Sequence, residues 1–325
     1  MKTFTVAGLE IKNRYVQAPL AGYSSFAMRE LARFYGAGLT YTEMTSANAI
    51  NYKNKKTDEM LPHQKERGPV ALQLFGSQED VILEAIKYIN DHAVFDFLDF
   101  NLGCPARKVL RQKSGSYLLK DPDHLYELMR KIVLTSSHPV TAKIRLGYDK
   151  VNVKENVKAL EAAGVCLIAI HGRTTLEGFV GPVHYDQIGE AKKMVQIPVI
   201  ANGNINVENI DEVERITGAD AFMFGREAIG NPKLFEDLIN HEEGKEIREK
   251  ILQEQVTCIL RHLDLEIAEK GEKNACDVLR GVSCLYLKGM DNMRALKNQL
   301  VHCSSRSEYY NLLFPLLSLK AEEDK

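Results

Sequence analysis

Cys104 is the residue of this sequence best placed to do chemistry. It stands in Asn101-Leu102-Gly103-Cys104-Pro105, directly after the apolar run Phe95–Phe100. Gly103 permits a backbone turn closed to other residues, and Pro105 fixes the next φ and bars the strand from continuing. A thiol is thereby presented at a strand end. Beside it lies the stretch Ala106–Lys120, where Arg107, Lys108, Arg111, Lys113 and Lys120 meet no acid. With a reference pKa near ~8.5, such a thiol is mostly protonated at neutral pH and is a usable proton donor.

Other unusual polar residues fall in the same kind of place. Short apolar runs at Val16–Pro19, Leu39–Glu43, Val70–Phe75, Phe95–Asn101, Thr141–Leu146, Cys166–His171, Val199–Asn202 and Ala221–Gly225 read as strands. Most are continuous, as strands covered on both faces should be. Glu43 closes the second run and Gln73 lies in the third; Lys143 and Arg145 occupy the fifth. His171, Gly172 and Arg173 end the sixth, Asn202 and Gly203 the seventh, Gly225 and Arg226 the eighth. Between the runs, apolar residues recur at helical spacing: Val81, Ala85 and Ile89 after Ser77, a candidate N-cap, and Val153, Val157, Leu160 and Ala163 before Gly164. Val213 and Ile216 precede Gly218 likewise.

Eight such units in about 240 residues match a (β/α)8 TIM barrel of the α/β class, in which active sites form at the C-terminal ends of the strands. A doubly wound sheet is the structural alternative. Phe4–Val6 and Leu9–Ile11, around Ala7-Gly8, read as a hairpin closing the barrel floor. After Leu238 the pattern changes. Glu242–Glu269 and Ala275–Leu287 carry helical periodicity through Ile247, Ile251, Val256, Ile259 and Leu263, and Leu296, Leu300, Tyr310, Leu313 and Leu317 continue it. Residues 1–239 are therefore expected to form the barrel and 240–325 a C-terminal all-helical domain, with the polar stretch Asn240–Gly244 as boundary.

The strand-end residues allow several chemistries. Asn202-Gly203-Asn204 and Gly225-Arg226, on adjacent barrel strands, supply the small residues and the charge of a phosphate site. Lys143 in an apolar strand needs a negative partner. It could form a Schiff base, face an anionic cofactor ring or pair with Glu43. Gln73 offers both a donor and an acceptor to a heterocycle edge, and His171 is a candidate cofactor or substrate contact or a structurally satisfied side chain.

Composition narrows the class. The chain has 325 residues, 45% hydrophobic and 26% charged, with a formal charge of −2. That is ordinary for a globular protein and excludes a globally basic nucleic-acid binder, though not a local basic face. No apolar run is long enough to span a bilayer, and Met1–Leu9 lacks the pattern of a signal peptide. Of the six cysteines none form a CxxC pair, so zinc and redox-dithiol sites are disfavoured and a cytoplasmic chain with reduced thiols is expected. Cys166, Cys258, Cys276, Cys284 and Cys303 read as buried small apolar residues.

The ordered set of these motifs resembles the tRNA-dihydrouridine synthases, flavoenzymes that reduce a uridine ring in tRNA. The stretches that carry the resemblance are APLAG at 18–22, ALQLFG at 71–76, NLGCP at 101–105 with Lys108-Val109 following, GSYLL at 115–119, KIRLG at 143–147, HGRT at 171–174, NG at 202–203, GREAIGNPKLF at 225–235 and, in the tail, YLKG at 286–289. The resemblance implies FMN as bound cofactor, NADPH as reductant and tRNA as substrate, with no stable protein partner and no membrane. It implies that Pro19, Leu20 and Ala21 line the flavin ring, that Gln73 and Lys143 hydrogen-bond it and that His171 lies close. It assigns Asn202, Gly203, Asn204, Gly225 and Arg226 to the FMN phosphate, Cys104 to proton donation, and Asn101 and Arg145 to the target uracil. Asn204 stands where the family commonly has Asp, and Gly181-Pro182-Val183-His184-Tyr185 departs from the usual sequence after the histidine motif.

Two basic regions fit a tRNA held between barrel mouth and tail. One is Ala106–Lys120. The other carries Lys273, Arg280, Lys288, Arg294, Lys297 and Arg306 against only Asp277 and Asp291. Competing readings are a flavin dehydrogenase of small cyclic metabolites such as dihydroorotate, with Cys104 as base, a lysine-dependent aldolase using Lys143, and a catalytically silent tRNA-folding helper.

Overall fold

A computed structural model describes residues 1–52, 57, 61–62 and 66–318. Its centre is a closed barrel of eight parallel strands. These are β3 (Tyr15–Gln17), β4 (Thr40–Tyr41), β6 (Val70–Phe75), β7 (Phe97–Leu102), β8 (Val140–Arg145), β9 (Leu167–His171), β10 (Val199–Asn202) and β11 (Ala221–Phe224). Closure comes where β3 meets β4: Val16 bridges Leu39 in parallel, and Gln17 N donates to Leu39 O at 3.0 Å. The strands lie where the apolar runs place them, to within two residues at most ends. The second stops at Tyr41, and a further short strand, β5 (Thr45–Ser46), pairs with the end of β6 instead.

Alternation of side chains divides the strands between two apolar layers. Val16, Leu39, Ala71, Phe97, Leu167, Ile200 and Ala221 point inward and pack with Phe4, Val6 and Ile11. The last three belong to the antiparallel hairpin of β1 (Phe4–Val6) and β2 (Leu9–Ile11), which therefore plugs the barrel floor. Outward residues such as Leu72, Leu98, Ile144 and Ile168 meet the apolar faces of the surrounding helices. Among these helices are α1 (Phe26–Phe34), α2 (Ala47–Asn51) and α3 (Glu79–His92). The ring continues with α4 (Arg107–Arg111), α5 (Pro122–Thr135), α6 (Val153–Ala163), α7 (Tyr185–Lys192), α8 (Ile210–Thr217) and α9 (Leu234–Glu242). Gly164 at φ +98° and Gly218 at φ +57° end α6 and α8 in the left-handed conformation that suits glycine. Ser77 does not cap α3; the cap position falls on Gln78, whose side chain makes no capping bond.

Beyond α9 the expected helix is interrupted. Gly244 at φ +65° turns the chain, residues 245–251 are not helical, and Ile247 and Ile251 are exposed. Their spacing matches a helical face, but no surface among the described residues packs against it. Helix resumes as α10 (Leu252–Lys270), α11 (Glu272–Tyr286), α12 (Arg294–Leu300) and α13 (Arg306–Leu313). Val256, Ile259, Leu263, Leu279, Tyr286 and Tyr309 form a separate core, joined by Leu31 from α1. Two further contacts tie this helical unit to the barrel. The Tyr35 hydroxyl lies 3.0 Å from Cys258 Sγ. Gly230, at φ +64°, lets the loop after β11 approach α11 so closely that a Cβ there would sit 2.7 Å from Leu285 C and Tyr286 N. Cys258, Cys276 and Cys303 are buried, whereas Cys166 and Cys284 are partly exposed, so only three of the five expected core cysteines are fully inside. No helix among the described residues is long and apolar enough to cross a membrane.

Candidate active site

The C-terminal ends of the strands surround a cavity of about 230 Å³. All the residues that the resemblance assigns to flavin, phosphate, proton donation or uracil line it, whereas Glu43, Gly172 and Arg173 do not. Pro19, Leu20 and Ala21 follow β3, Gln73 comes from β6, and Asn101 and Cys104 come from the end of β7. Lys143 and Arg145 come from β8, His171 from β9, Asn202, Gly203 and Asn204 from β10, and Gly225 and Arg226 from the loop after β11. The registers explain the convergence. Asn101 pairs with Lys143 and Arg145 with His171 across neighbouring strands, and residues two apart on a strand share a face. Met44, Gly103, Pro105 and Phe179 also line the cavity and were not among the expected residues.

Cys104 is part-exposed at the cavity wall. Asn101 Oδ1 accepts the backbone amides of Gly103 at 3.2 Å and Cys104 at 3.0 Å, and Ser116 Oγ donates to Cys104 O at 2.9 Å. Burial raises the Cys104 thiol above its ordinary value, more than the amide of Ala106 and the charges of Arg145 and Lys143 lower it. The group is therefore a neutral thiol at neutral pH.

Cations dominate the opposite balance. Lys143, Arg145 and Arg226 line the cavity, with no carboxylate among the described lining residues. Lys143 Nζ donates to Asn202 Oδ1 at 3.1 Å. Glu43 accepts the Gly22 amide at 2.5 Å, and no ion pair joins it to Lys143. Burial first, then Arg145, presses the lysine down to about 8. Burial and the surrounding Lys143, Arg145, Arg173 and Arg226 push His171 down to about 2, so the ring is neutral; its Nδ1 is buried without a partner. Such a constellation is costly until an anion arrives.

Arg145, nearly fully buried, ties two loops together. Its Nε donates to Gly103 O at 2.8 Å, and its Nη1 to Thr174 O at 2.9 Å and Gly178 O at 2.7 Å. Nη2 keeps no hydrogen-bond partner among the described residues. Phe179, on the loop so held, lies 5.0 Å from the Arg145 guanidinium, 5.5 Å from that of Arg226 and 6.0 Å from the His171 ring. Arg173, buried behind this loop, donates to Gly181 O and leaves Nη1 unpaired. On the other side, Gly203 adopts φ +126°, and a Cβ there would press on Val183 and the His171 ring at 3.1–3.3 Å. Asn204, also left-handed at φ +49°, accepts Arg226 Nη2 at 2.8 Å. The two loops thus form a backbone-lined cradle with a guanidinium at its edge. A planar ligand carrying a phosphate fits the charge and the shape of such a site.

A second cavity, of about 540 Å³, opens beside the Cys104 loop and is lined by Arg111, Lys113, Lys120, Tyr117 and His124, among others. Lys120 Nζ lies 4.7 Å from the Tyr117 ring and 4.0 Å from that of Tyr148. In the helical unit, Arg306 pairs with Asp264 at 2.7 Å, and Arg280 pairs with Asp277 at 3.1 Å and bonds Cys303 O. The expected basic face there narrows to Lys273, Lys288, Arg294 and Lys297, which have no ion pair among the described residues. Lys273, Lys288 and Arg294 are exposed.

Comparison with known proteins gives the family and the fold. The sequence profile described as dihydrouridine synthase (Dus) matches residues 16–320. A tRNA-dihydrouridine synthase B of Pasteurella multocida is 38% identical over 291 residues, 88% of this chain and 87% of that one. A probable tRNA-dihydrouridine synthase of Aquifex aeolicus is 35% identical over 301 residues, 91% and 94%. Among solved structures, the old yellow enzyme from Trypanosoma cruzi superposes with a TM-score of 0.55 at 14% identity, covering 78% of this chain and 94% of that one. At that identity the likeness is one of fold.

Proposed function

The chain belongs to the dihydrouridine synthase family, and we propose that it reduces the C5=C6 bond of specific uridines in tRNA, with FMN bound and NADPH as reductant. One observation carries this reading: the Cys104 thiol lines the same carboxylate-free, cationic cavity as Gln73, Lys143 and His171. Reduction of that bond needs a hydride on one carbon and a proton on the other. FMN, once bound and reduced, would supply the hydride, to C6.

The residues of the chain do the rest. Cys104 holds the proton destined for C5, and its raised affinity for that proton keeps it loaded at neutral pH. Pro19, Leu20 and Ala21 offer a flat wall for the ring; Gln73 and Lys143 offer donors to its polar edge, and the Lys143 charge favours an anionic ring. His171, neutral, lies alongside. Gly203, Asn204, Gly225 and Arg226 cradle the phosphate, and Asn202 holds Lys143 in place. Arg145 Nη2 and Asn101 face the uracil, which must leave the tRNA stack to enter. Residues 1–239 are the catalytic unit, and residues 240–325 bind tRNA through Lys273, Lys288, Arg294 and Lys297. The cations of the Cys104 loop extend that surface. The cytoplasm is the compartment we infer for such a reaction.

The test is direct. Purified protein with FMN, NADPH and an unmodified tRNA transcript should form dihydrouridine at a defined position, and cells lacking the protein should lose that modification until it is restored. Transcripts left unreduced, together with an unchanged dihydrouridine map in such cells, would overturn the reading.

A further inference from the structure

Asp99 is an acid hidden in the strand that leads to Cys104. It is fully buried, on the same face of β7 as Asn101, and plays no part in the chemistry described so far. Its Oδ1 accepts Thr141 Oγ1 at 2.7 Å and its Oδ2 accepts Gln73 Nε2 at 2.7 Å. Gln73 Oε1 in turn accepts Asn101 Nδ2 at 2.7 Å, and Asn101 Oδ1 accepts the amides of Gly103 and Cys104.

The polarity of this chain is set from its ends. A primary amide can face either way, and its two ends look alike in size. An ionised carboxylate only accepts, so Gln73 must turn its NH2 to Asp99 and its oxygen to Asn101. Asn101 must then turn its NH2 to Gln73 and its oxygen to the turn, where backbone N–H groups only donate. Both ends demand the same direction. Without the acid, either amide could reverse, and Asn101 would present donors to donors.

We propose that Asp99 is a positioning residue for Cys104: through Gln73 and Asn101 it fixes the Gly103–Cys104 backbone and hence where the thiol points. The proposal rests on the reading of Cys104 as proton donor. A raised Asp99 affinity for protons, caused by burial, is consistent with a group kept there despite its cost. The same relay leaves one Gln73 N–H free to face the cavity.

The test uses the flavin-loaded full chain and compares hydrogen–deuterium exchange at the amides of residues 103 and 104 with that of strand 140–145. Asp99→Ala should speed exchange at 103 and 104 about tenfold, the worth of a lost buried hydrogen bond, with the strand unchanged. Asp99→Asn can keep its oxygen on Gln73 and its NH2 on Thr141, and should stay within about twofold of the native chain. With tRNA, Asp99→Ala should lower kcat with little change in KM, and Asp99→Asn should rescue it. Native-like exchange in Asp99→Ala, equal effects of Ala and Asn, or acceleration spread evenly over both segments would overturn the proposal. If Asp99→Ala does not fold, Gln73→Met cuts the relay at its middle; because Gln73 also faces the flavin site, only exchange is read for it, with the same local acceleration at 103 and 104 expected and native-like or evenly spread exchange overturning the proposal. The exchange data do not depend on turnover, so local acceleration in a protein inert toward tRNA would strike at the functional reading alone.

Discussion

Lys143 Nζ donates to Asn202 Oδ1 at 3.1 Å, and Asn202 Nδ2 donates to Met223 O at 2.8 Å. The lysine is thus held by a neutral amide that is itself anchored to the backbone of β11. No carboxylate lines the cavity beside it among the described residues; burial and then Arg145 lower its pKa from 10.5 to about 8, more than Asp99 in β7 raises it. An anionic ligand favours the charged form. Flavin affinity of the ligand-free protein should therefore be level below pH 8 and fall above it, as the lysine loses its proton before binding. Titration of FMN fluorescence across pH 6.5–9.5 checks this; in Lys143→Met the same stretch of the curve should be flat and weaker throughout.

Burial raises the Cys104 thiol above its ordinary value. An acid works only while protonated, so an upward shift extends the working range to higher pH. Single-turnover oxidation of the reduced enzyme by tRNA should keep its rate through neutral pH and decline only above the ordinary thiol range. A decline centred between pH 6 and 8 would point to a different proton donor.

Substituting Lys288, Arg294 and Lys297 together with Ala should weaken tRNA binding and flatten its salt dependence. If each cation meets one phosphate, the slope of log K against log salt should lessen by about 2. Arg306→Ala removes a cation already paired with Asp264 and should leave the slope as it was. Binding titrations at four or five salt concentrations separate the two outcomes.

Gly230→Ala should destabilise the protein by about 2 kcal/mol or more, because the new Cβ would stand 2.7 Å from the backbone of α11 in a left-handed conformation. Denaturant unfolding measures the loss. Gly218→Ala shares the left-handed backbone but meets nothing within 4 Å, so its cost should be smaller.

How much of this could be read from the chain depends on whether a feature is local. The barrel strands are continuous apolar runs, and their polar ends converge because the fold directs every C-terminal end to one face. Cys104, Lys143 and His171 therefore come together from positions far apart in sequence. Asp99 is hard to read because one acid inside Phe95–Phe100 is invisible to a count of apolar residues; the alternation that puts it on the face of Asn101 is the available signal. Phe179 lies on a loop whose path is set by the buried guanidiniums of Arg145 and Arg173, which spacing does not encode. Arg306 finds Asp264 on a different helix, so its charge looked free in sequence. Ile247 and Ile251 keep helical spacing where no partner face exists among the described residues.

Replacing Cys104 with Ala tests the central claim most directly. The variant should bind FMN and tRNA as the native protein does, and its rate of dihydrouridine formation, followed by mass spectrometry of digested tRNA, should fall by about 100-fold or more. Dihydrouridine formed at the native rate by that variant would contradict the account.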